Sequence, residues 1–304
     1  MLSGQRILVT GAAGRVAFPI ARELAARGNT VFGLARFRDP ADLDKVLDVG
    51  VHPIVGDLHS ADFADLPDGI AYVFHAGAAL GREASDDWEF ALEVNALSTG
   101  RLVRAVASTC RGFVYCSTGS TYAYQGQRPL REDDPPGIHT TGNYSFSKVA
   151  GEAVVRHTSV EHAVPATIIR ICSTYGPEGG APWDRIERML AGEEIALHPD
   201  VPNNYNPIHE DDGVRLGIRA LEVATVPALV VNWSGSETVS AEEYLAYAGE
   251  LCGVEPKIVY RDDAWTPLWP DVTKMHEVLG RCEVPWRDGF RRMLEARCPE
   301  RLVG

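Results

Sequence analysis

A short apolar segment followed by a glycine loop near the start of the chain constrains the fold more than any other feature. Residues 5–10 are short, β-branched and end at a glycine, which indicates a buried strand. Residues 11–17 (Gly-Ala-Ala-Gly-Arg-Val-Ala) then lead into a helical pattern over residues 18–27. The glycines permit a tight turn, and the helix N-terminus offers unpaired N–H groups that suit a pyrophosphate. We therefore predict a dinucleotide site at this loop. Its contact residues are Gly11, Ala13, Gly14, Arg15 and Val16.

Strands and helices alternate after this loop. Further strands are predicted over residues 30–34, 52–55, 71–74, 113–116 and 166–172, and helices over residues 39–49 and 86–107. Such alternation is typical of an α/β fold with a doubly wound, Rossmann-like parallel sheet. We predict a dinucleotide-binding domain over residues 1–172, to which residues 205–235 return. The remainder, residues 173–204 and 236–304, is predicted to form a small C-terminal substrate-binding cap.

The end of the second predicted strand bears on the choice between NAD and NADP. An NAD site usually carries an acidic residue there, which accepts hydrogen bonds from the ribose. This chain has Ala35-Arg36-Phe37-Arg38 instead, with Arg15 in the glycine loop. Guanidinium groups suit a 2′-phosphate, so we expect NADP rather than NAD, with Arg36 as a contact. The alternative is that Arg36 and Arg38 are solvated loop charges.

Two later strand ends complete the predicted cofactor site. Asp57 and Leu58 follow the third strand, where Asp57 either accepts a hydrogen bond from the adenine amino group or caps a turn. Small residues after the fourth strand, among them Ala76 and Gly77, let the cofactor ribose approach the backbone closely. His75, which precedes them, is interpreted as a packed structural histidine.

The composition excludes several classes of partner. The 29 basic and 42 acidic residues give a net charge of −13, which argues against a broad surface for nucleic acid or anionic membranes. No apolar run reaches the roughly 18–20 residues that span a bilayer, and the chain opens without a basic-then-apolar leader. The cysteines show no Cys-x-x-Cys or His-rich spacing, so no metal site is predicted. We expect a cytoplasmic protein that binds a small molecule and neither nucleic acid nor a membrane.

A tyrosine and a lysine four residues apart form the candidate catalytic pair. If this segment is helical, Tyr144 and Lys148 share one face. A nearby cation favours the phenolate and lowers the tyrosine pKa, which makes the phenol a candidate proton donor. The spacing alone is a weak signal, because many helices place a solvated lysine one turn from a surface tyrosine. Hydroxyl residues over 117–121 follow a predicted strand, and they are either ligand contacts at the sheet edge or ordinary turn residues.

Taken together, these segments resemble the extended short-chain dehydrogenase/reductase family, the group of NAD(P)-dependent epimerases and dehydratases. The resemblance covers nearly the whole chain. It is carried by the loop at 11–17, Gly56-Asp57-Leu58, Val94-Asn95-Ala96, the segment 115–120, Tyr144 with Lys148, the segment 170–177 and the segment 207–212. The resemblance implies hydride chemistry on a carbon that bears oxygen, with the nicotinamide supplying the hydride.

The resemblance also implies a role for each matching residue. Tyr144 is expected to be the general acid in reduction or the base in oxidation, and Thr118 to bond the substrate oxygen. Lys148 is expected to bond the cofactor ribose and to hold the tyrosine pKa down. The further cofactor contacts are Asn95 and Ile171, together with Tyr144 and Lys148. The expected substrate contacts are Ala79, Gly119, Ser120, His139, Ser173, Trp183 and Tyr205.

Three departures from the family pattern bear on the substrate. Dehydratase members carry Asp-Glu after the catalytic threonine, whereas Gly119 and Ser120 follow Thr118 here, so sugar dehydration is not expected. Nucleotide-sugar enzymes usually have an arginine at the place of Tyr205, and the usual asparagine of the 170–177 segment is Ser173. Both changes weaken the case for a diphosphate sugar. The aromatic residues of the cap indicate a less charged ligand, or else only the core of the cap.

These residues leave three functions open. The first is an NADP-dependent oxidoreductase that interconverts a carbonyl and an alcohol, with Tyr144 as general acid and base. The second is a redox-neutral nucleotide-sugar epimerase with a bound cofactor, and the third is a non-catalytic NADP-sensing protein. Sensing proteins tend to lose the Tyr or the Lys, and both are present. Family members commonly dimerise through two long helices, here residues 86–107 and the Tyr144 helix, so we expect a homodimer.

Overall fold

The computed structural model describes residues 2–137 and 142–303 of the 304-residue chain. The strands are β1 (Arg6–Thr10), β2 (Thr30–Ala35), β3 (His52–Val55), β4 (Tyr72–His75), β5 (Gly112–Thr118), β6 (Ala166–Ile171), β7 (Thr174–Gly176), β8 (Gly179–Gly180), β9 (Glu194–Leu197), β10 (Asn204–Tyr205), β11 (Ile208–His209), β12 (Leu229–Trp233), β13 (Val239–Ser240) and β14 (Lys257–Tyr260). The helices are α1 (Ala17–Ala26), α2 (Pro40–Asp48), α3 (Gly81–Asp86), α4 (Trp88–Leu92), α5 (Ser98–Val106), α6 (Asn143–Glu161), α7 (Ala181–Leu190), α8 (Glu210–Glu222), α9 (Ala241–Cys252), α10 (Thr273–Val278) and α11 (Trp286–Arg297). Across these residues no helix is long and apolar enough to cross a membrane.

A seven-stranded parallel sheet forms the centre of the fold, in the order β12-β6-β5-β4-β1-β2-β3. Strand β1 pairs in parallel with both β2 and β4. The order of the strands therefore reverses between β1 and β4, and such a switch point leaves a crevice for ligands at the carboxyl ends of the strands. The sheet confirms the predicted α/β, Rossmann-like fold.

The sheet forms because the side chains of its inner strands are apolar on both faces. Ile7, Leu8 and Val9 of β1 have no exposed surface, and Phe113 on β5 and Ile168 on β6 are equally buried. A continuous apolar run of this kind is typical of a parallel sheet that helices cover on both sides. Burying each such side chain contributes roughly 1.5–3 kcal/mol relative to leaving it exposed.

The chain forms two compact units. The first comprises the residues up to Thr121, Pro136–Arg170 and Val214–Val231, and the second comprises Tyr122–Pro135, Ile171–Gly213 and the residues from Asn232 onward. Residues 122–135, 171–172, 205–213 and 232–235, predicted to lie in the dinucleotide-binding domain, thus belong to the second unit. Hydrogen bonds inside that unit explain the first of these differences. The Tyr122 hydroxyl donates to Asn232 Oδ1 at 2.5 Å, and the Asn232 N–H donates to Glu132 at 2.8 Å.

The second unit has its own apolar core and three small sheets. Core residues include Tyr175, Ile186, Leu197, Tyr244 and Phe290. Strand β9 pairs in parallel with β14, β11 pairs with β7 and β8 joins β7, and β10 pairs antiparallel with β13. The sequence did not reveal β9 or β14, because each has only four residues and a short, partly exposed pattern.

The helix predicted over residues 86–107 is interrupted twice. Asp87 adopts an extended conformation (φ −136°, ψ 103°), and its side chain accepts the Phe90 N–H at 2.9 Å, which caps α4. A π-helical turn at Glu93–Leu97 then separates α4 from α5. Such turns occur frequently at functional sites, and this one contains Asn95.

Candidate active site

The predicted glycine loop lies at the reversal point of the sheet. A Cβ on Gly11 would lie 2.9 Å from Gly77 Cα, and one on Gly77 would lie 2.7 Å from Leu58 Cδ1. Gly11 also has a φ of 67°, which residues with a Cβ rarely adopt. Glycine therefore lets the loops after β1 and β4 meet, and a glycine loop that leads into a helix N-terminus suits a pyrophosphate.

A buried chain of hydrogen bonds fixes the β4 loop from below. The Gly77 N–H donates to Thr10 Oγ1 at 2.9 Å. The Thr10 hydroxyl itself donates to His75 Nδ1 at 2.7 Å. His75 Nε2 in turn donates to Thr99 Oγ1 at 2.9 Å, whose hydroxyl donates to the Asn95 carbonyl oxygen. Burial lowers the pKa of His75 to about 3, so the ring is neutral at physiological pH. His75 is thus a packed structural histidine, as predicted.

A cavity of about 320 Å³ opens beside the glycine loop within the first unit, a size typical of a small-molecule site. The predicted cofactor contacts that line it are Gly11, Ala13, Gly14, Arg36, Asp57, Leu58, Ala76 and Gly77. Ala79, predicted as a substrate contact, lines the same cavity. Because the glycine cradle and the charged strand end share one cavity, the residues present fit a dinucleotide.

Two predicted cofactor residues also have structural roles. Asn95 Oδ1 accepts the Ala79 N–H at 2.8 Å, and its amide nitrogen donates to the Ala79 carbonyl and to Ser147 Oγ. Asn95 therefore fixes the loop after β4 against α6. Asp57 Oδ1 accepts the His59 N–H at 3.0 Å, so its turn role is observed and its adenine contact stays a prediction. Three further cofactor contacts that stay predictions are Arg15, Val16 and Ile171.

The arginines after β2 are paired with a carboxylate of the chain, although Arg38 is also largely exposed to solvent. Arg36 donates to both carboxylate oxygens of Glu83, at 2.9 and 3.2 Å, and Arg38 donates to Oε1 at 3.2 Å. All three residues line the cavity, as does Asp42. Hydrogen bonding from Arg36 is the main cause that lowers the pKa of Glu83. Sequence reasoning missed Glu83 because it lies 47 positions from Arg36, and no local spacing signals such a contact.

The candidate catalytic residues meet where β5 ends beside α6. The side chain of Tyr144, in the first turn of α6, is hydrogen-bonded to Thr118, the last residue of β5. Thr118 Oγ1 also lies 3.0 Å from Ser120 Oγ. The strand and the helix can approach closely because residue 151 is glycine. A Cβ on Gly151 would collide with the Tyr115 hydroxyl. The structure thus brings Thr118 and Tyr144 together, and their catalytic roles stay predictions.

The protonation of Tyr144 differs from the expectation. Lys148 was expected to lower the tyrosine pKa, but burial raises the pKa of Tyr144 to about 12, and the hydrogen bond with Thr118 lowers it only in part. The ammonium of Lys148 lies over the Tyr115 ring, 4.2 Å from its centroid. Desolvation therefore dominates the pKa of Tyr144 here, and the effect predicted for Lys148 beside a bound cofactor stays a prediction. The phenol consequently keeps its proton at neutral pH.

Lys148 is itself shifted by burial. Its side chain is 2% exposed, and burial lowers the pKa of Lys148 from 10.5 to about 8, against opposing contributions from Cys116 and Glu152. A lowering of this size corresponds to about 3 kcal/mol by which burial disfavours the ammonium. The residue is therefore kept at a cost in stability, as is common for functional groups.

Replacing Lys148 with Met is expected to raise the free energy of unfolding by about 1–3 kcal/mol, because Met fills the site without a charge. The folded pKa lies below the unfolded one, so the unfolded wild type binds more protons between pH 8 and 10.5. The advantage of Lys148→Met should therefore be full below pH 8 and disappear above pH 10.5. Urea unfolding from pH 7 to 10.5 measures this, and an advantage that grows with pH would contradict it.

A buried ion pair supports the catalytic helix and was missed in the sequence. Glu152 is 5% and Arg170 4% exposed. Arg170 donates to both oxygens of Glu152, at 2.9 and 2.7 Å, and the Ser117 hydroxyl donates to Oε1 at 2.6 Å. The pair therefore joins α6 to β6 and to the end of β5. The sequence held one signal for Glu152. This residue follows Lys148 by four positions, just as Lys148 follows Tyr144, so all three can lie on one face of a helix.

The remaining predicted substrate contacts, Ser173, Trp183, Tyr205 and His139, differ in where they lie. Ser173 and Tyr205 lie in the second unit, and His139 lies outside the described residues. Trp183 is 8% exposed and packs in the core of the second unit, so its predicted substrate role gives way to the alternative of cap core. Arg185 on α7, which was not predicted, donates to the Tyr205 hydroxyl at 2.9 Å. Across the described parts of the chain, no group of His, Cys, Asp and Glu is placed to hold a metal ion.

Comparison with known proteins agrees with this geometry. The chain is 29% identical over 318 residues to a dTDP-4-dehydro-6-deoxy-D-allose reductase from Streptomyces bikiniensis, covering 95% of this chain and 94% of that protein. It is 28% identical to a UDP-glucose 4-epimerase from Mycolicibacterium smegmatis, covering 95% of this chain and 97% of the relative. The solved structure of MoeE5 in complex with UDP-glucuronic acid and NAD matches with a TM-score of 0.81 and 26% identity, over 97% of this chain and 99% of MoeE5.

These similarities are to enzymes, and they support a nicotinamide dinucleotide as the cofactor. The protein is therefore an enzyme of the oxidoreductase and epimerase type, and the non-catalytic alternative falls away. The sequence profile of one family matches residues 7–232, about three quarters of the chain. The chain belongs to the NAD dependent epimerase/dehydratase family.

Proposed function

We propose that the protein is an NADP-dependent oxidoreductase that reduces a ketone or aldehyde to the alcohol, with Tyr144 as general acid. The observation that carries this proposal is the half-buried Tyr144 side chain, hydrogen-bonded to Thr118 at the end of β5, with a pKa that desolvation raises to about 12. A phenol that is fully protonated at neutral pH suits reduction, in which the carbonyl oxygen takes up a proton.

Each side chain has a distinct task in this reaction. The nicotinamide, when bound, supplies the hydride. The Thr118 hydroxyl holds the carbonyl oxygen beside Tyr144, which gives its proton to that oxygen. Lys148, positively charged below about pH 8, bonds the cofactor ribose and stabilises the phenolate that remains.

The preference for NADP is supported by Arg36 in the cofactor cavity. Replacing Arg36 with Ala should raise the Kd of NADPH about tenfold or more, because a charged hydrogen-bonding partner of the 2′-phosphate is lost. The Kd of NADH should change little. Calorimetry with both cofactors measures this. Arg27→Ala is the control, since Arg27 follows α1 and forms a partly exposed pair with Glu23. Equal weakening of both cofactors would contradict the proposed NADP preference.

The substrate we propose is a ketone carried by a nucleotide-linked sugar, the class named in the similar reductase. The missing arginine at Tyr205 counted against such a ligand. In the second unit, however, the Arg185 guanidinium donates to the hydroxyls of Tyr244 and Tyr205, both at 2.9 Å, and these are neutral partners. Arg185 on α7 thus brings a positive charge to Tyr205 on β10. Saturable binding of a dTDP-linked keto sugar that is lost in Arg185→Met tests this assignment.

A redox-neutral nucleotide-sugar epimerase is the second candidate, favoured by the similarity to the UDP-glucose 4-epimerase. It predicts an isomerised product and no net consumption of NADPH.

We also propose a homodimer. The proposal is supported by three exposed apolar side chains on the helical segments from α4 to the π-helical turn and on α6. They are Trp88 on α4 (52% exposed), Leu97 in the π-helical turn (48%) and Val160 on α6 (56%). Light scattering that gives a monomer mass would contradict the dimer.

A further inference from the structure

A carboxylate lies between the two arginines that are proposed to bind the 2′-phosphate. Arg36 reaches both oxygens of Glu83, and Arg38 reaches one of them. Glu83 comes from α3, which follows the loop after β4, so the two sides of the cluster belong to different parts of the fold. The contact is therefore a tertiary one between the strand end and the next side of the cavity.

The cluster lies within the cofactor cavity and not on a remote surface. Arg36, Arg38 and Glu83 line the same cavity as Gly11 and Asp57. Asp42 also lines it, so the lining holds two basic side chains and three acidic ones. Both arginines are paired with the carboxylate of Glu83.

The ion pairs of Arg36 and Arg38 with Glu83 are weak enough for a phosphate to displace the carboxylate. The side chains of Arg36 and Glu83 are 35% and 38% exposed, and Arg38 is 69% exposed. Solvent screens such pairs, so their net contribution is small. A phosphate dianion carries more charge than a carboxylate and offers more acceptor oxygens to the same guanidinium groups. Both anions nevertheless need the same donors, and they repel each other at close range.

We propose that Glu83 is an internal competitor for the 2′-phosphate of NADP and thereby sets how strongly the enzyme discriminates NADP from NAD. The inference rests on the proposed NADP preference. Glu83 weakens binding of the phosphorylated cofactor, because the phosphate must take Arg36 and Arg38 from it. It has no such effect on NAD, which carries no charge at the 2′ position. Glu83 therefore reduces the preference for NADP over NAD that Arg36 and Arg38 create.

Replacing Glu83 with Gln tests this directly, because Gln keeps the shape and removes the charge. The probes are adenosine 2′,5′-bisphosphate and adenosine 5′-monophosphate, whose binding to the full-length protein is measured by calorimetry without any turnover. We expect Glu83→Gln to tighten binding of the bisphosphate about two- to fivefold and to leave the monophosphate unchanged. The gain should shrink in high salt. Glu89→Gln is the matched control, since Glu89 is exposed in the first turn of α4.

The Arg36→Ala background separates the two levels of the proposal. If Glu83 acts through Arg36, most of the gain from Glu83→Gln disappears in the double variant. Unchanged or weaker bisphosphate binding in Glu83→Gln, with Arg36→Ala still harmful, overturns the competitor role and leaves the NADP site intact. Equal affinity of the wild type for both probes, unaffected by Arg36→Ala, overturns both proposals. Thermal melts establish that each variant is folded.

Discussion

Replacing Tyr144 with Phe is expected to lower kcat for carbonyl reduction by about 10²–10⁴-fold, the usual contribution of a positioned general acid. Phe fills the same space but has no proton to give. Because Phe preserves the packing of the half-buried Tyr144 ring, the variant should keep its fold and its affinity for the cofactor. The loss should therefore appear in kcat and not in the Kd of NADPH.

The matched control for this variant is Tyr260→Phe, since Tyr260 is 51% exposed on β14 in the second unit. It removes the same atom from a site with no assigned role, so its turnover should equal that of the wild type. Steady-state rates over a panel of ketones and aldehydes, with calorimetry of NADPH, give both quantities. Turnover of Tyr144→Phe at the wild-type rate would remove Tyr144 from the mechanism.

Replacing Glu152 with Ala is expected to lower the free energy of unfolding by about 3–5 kcal/mol, because the buried guanidinium of Arg170 loses the carboxylate that balances its charge. Both side chains are less than a tenth exposed. The loss also frees the Ser117 hydroxyl, whose acceptor is Glu152. The end of β5, which carries Thr118, should therefore lose part of its support.

Glu23→Ala on α1 is the control for this stability change, because Glu23 pairs with Arg27 at the surface with 41% of its side chain exposed. An exposed pair four residues apart contributes only about 0.3–0.5 kcal/mol. Urea unfolding of both variants compares the two pairs on one scale. A loss below about 1 kcal/mol in Glu152→Ala would show that the buried pair contributes no more than a surface pair does.

Local sequence patterns predicted the parts of the site that depend on neighbours in the chain. The glycine loop, the strand that ends at Thr118, and the Tyr144–Lys148 spacing all lie within short segments. Glu83 could not be found this way, because its contact with Arg36 depends on how α3 is placed beside β2. A carboxylate in the middle of a polar helix gives no sign of such a partner.

The sequence also did not reveal how deeply each side chain is buried. The charge of Lys148 was visible, and it predicted a lowered tyrosine pKa. The desolvation of Tyr144 depends on the packing of α6 against β5, and it raises the pKa instead. For the same reason Trp183 was assigned to the substrate, although its ring packs in the core of the second unit. Aromatic residues in a cap give no signal that separates these two roles.

Hydride transfer from NADPH labelled with deuterium at the transferable position tests the proposed reductase activity most directly, with a dTDP-linked keto sugar as substrate. We predict an alcohol product that carries one deuterium at the former carbonyl carbon, together with an equal amount of NADP⁺. No deuterated alcohol from the keto sugar would contradict net reduction. If the matching dTDP-linked sugar alcohol were instead isomerised in the presence of NADP⁺ without net formation of NADPH, the redox-neutral alternative would be supported.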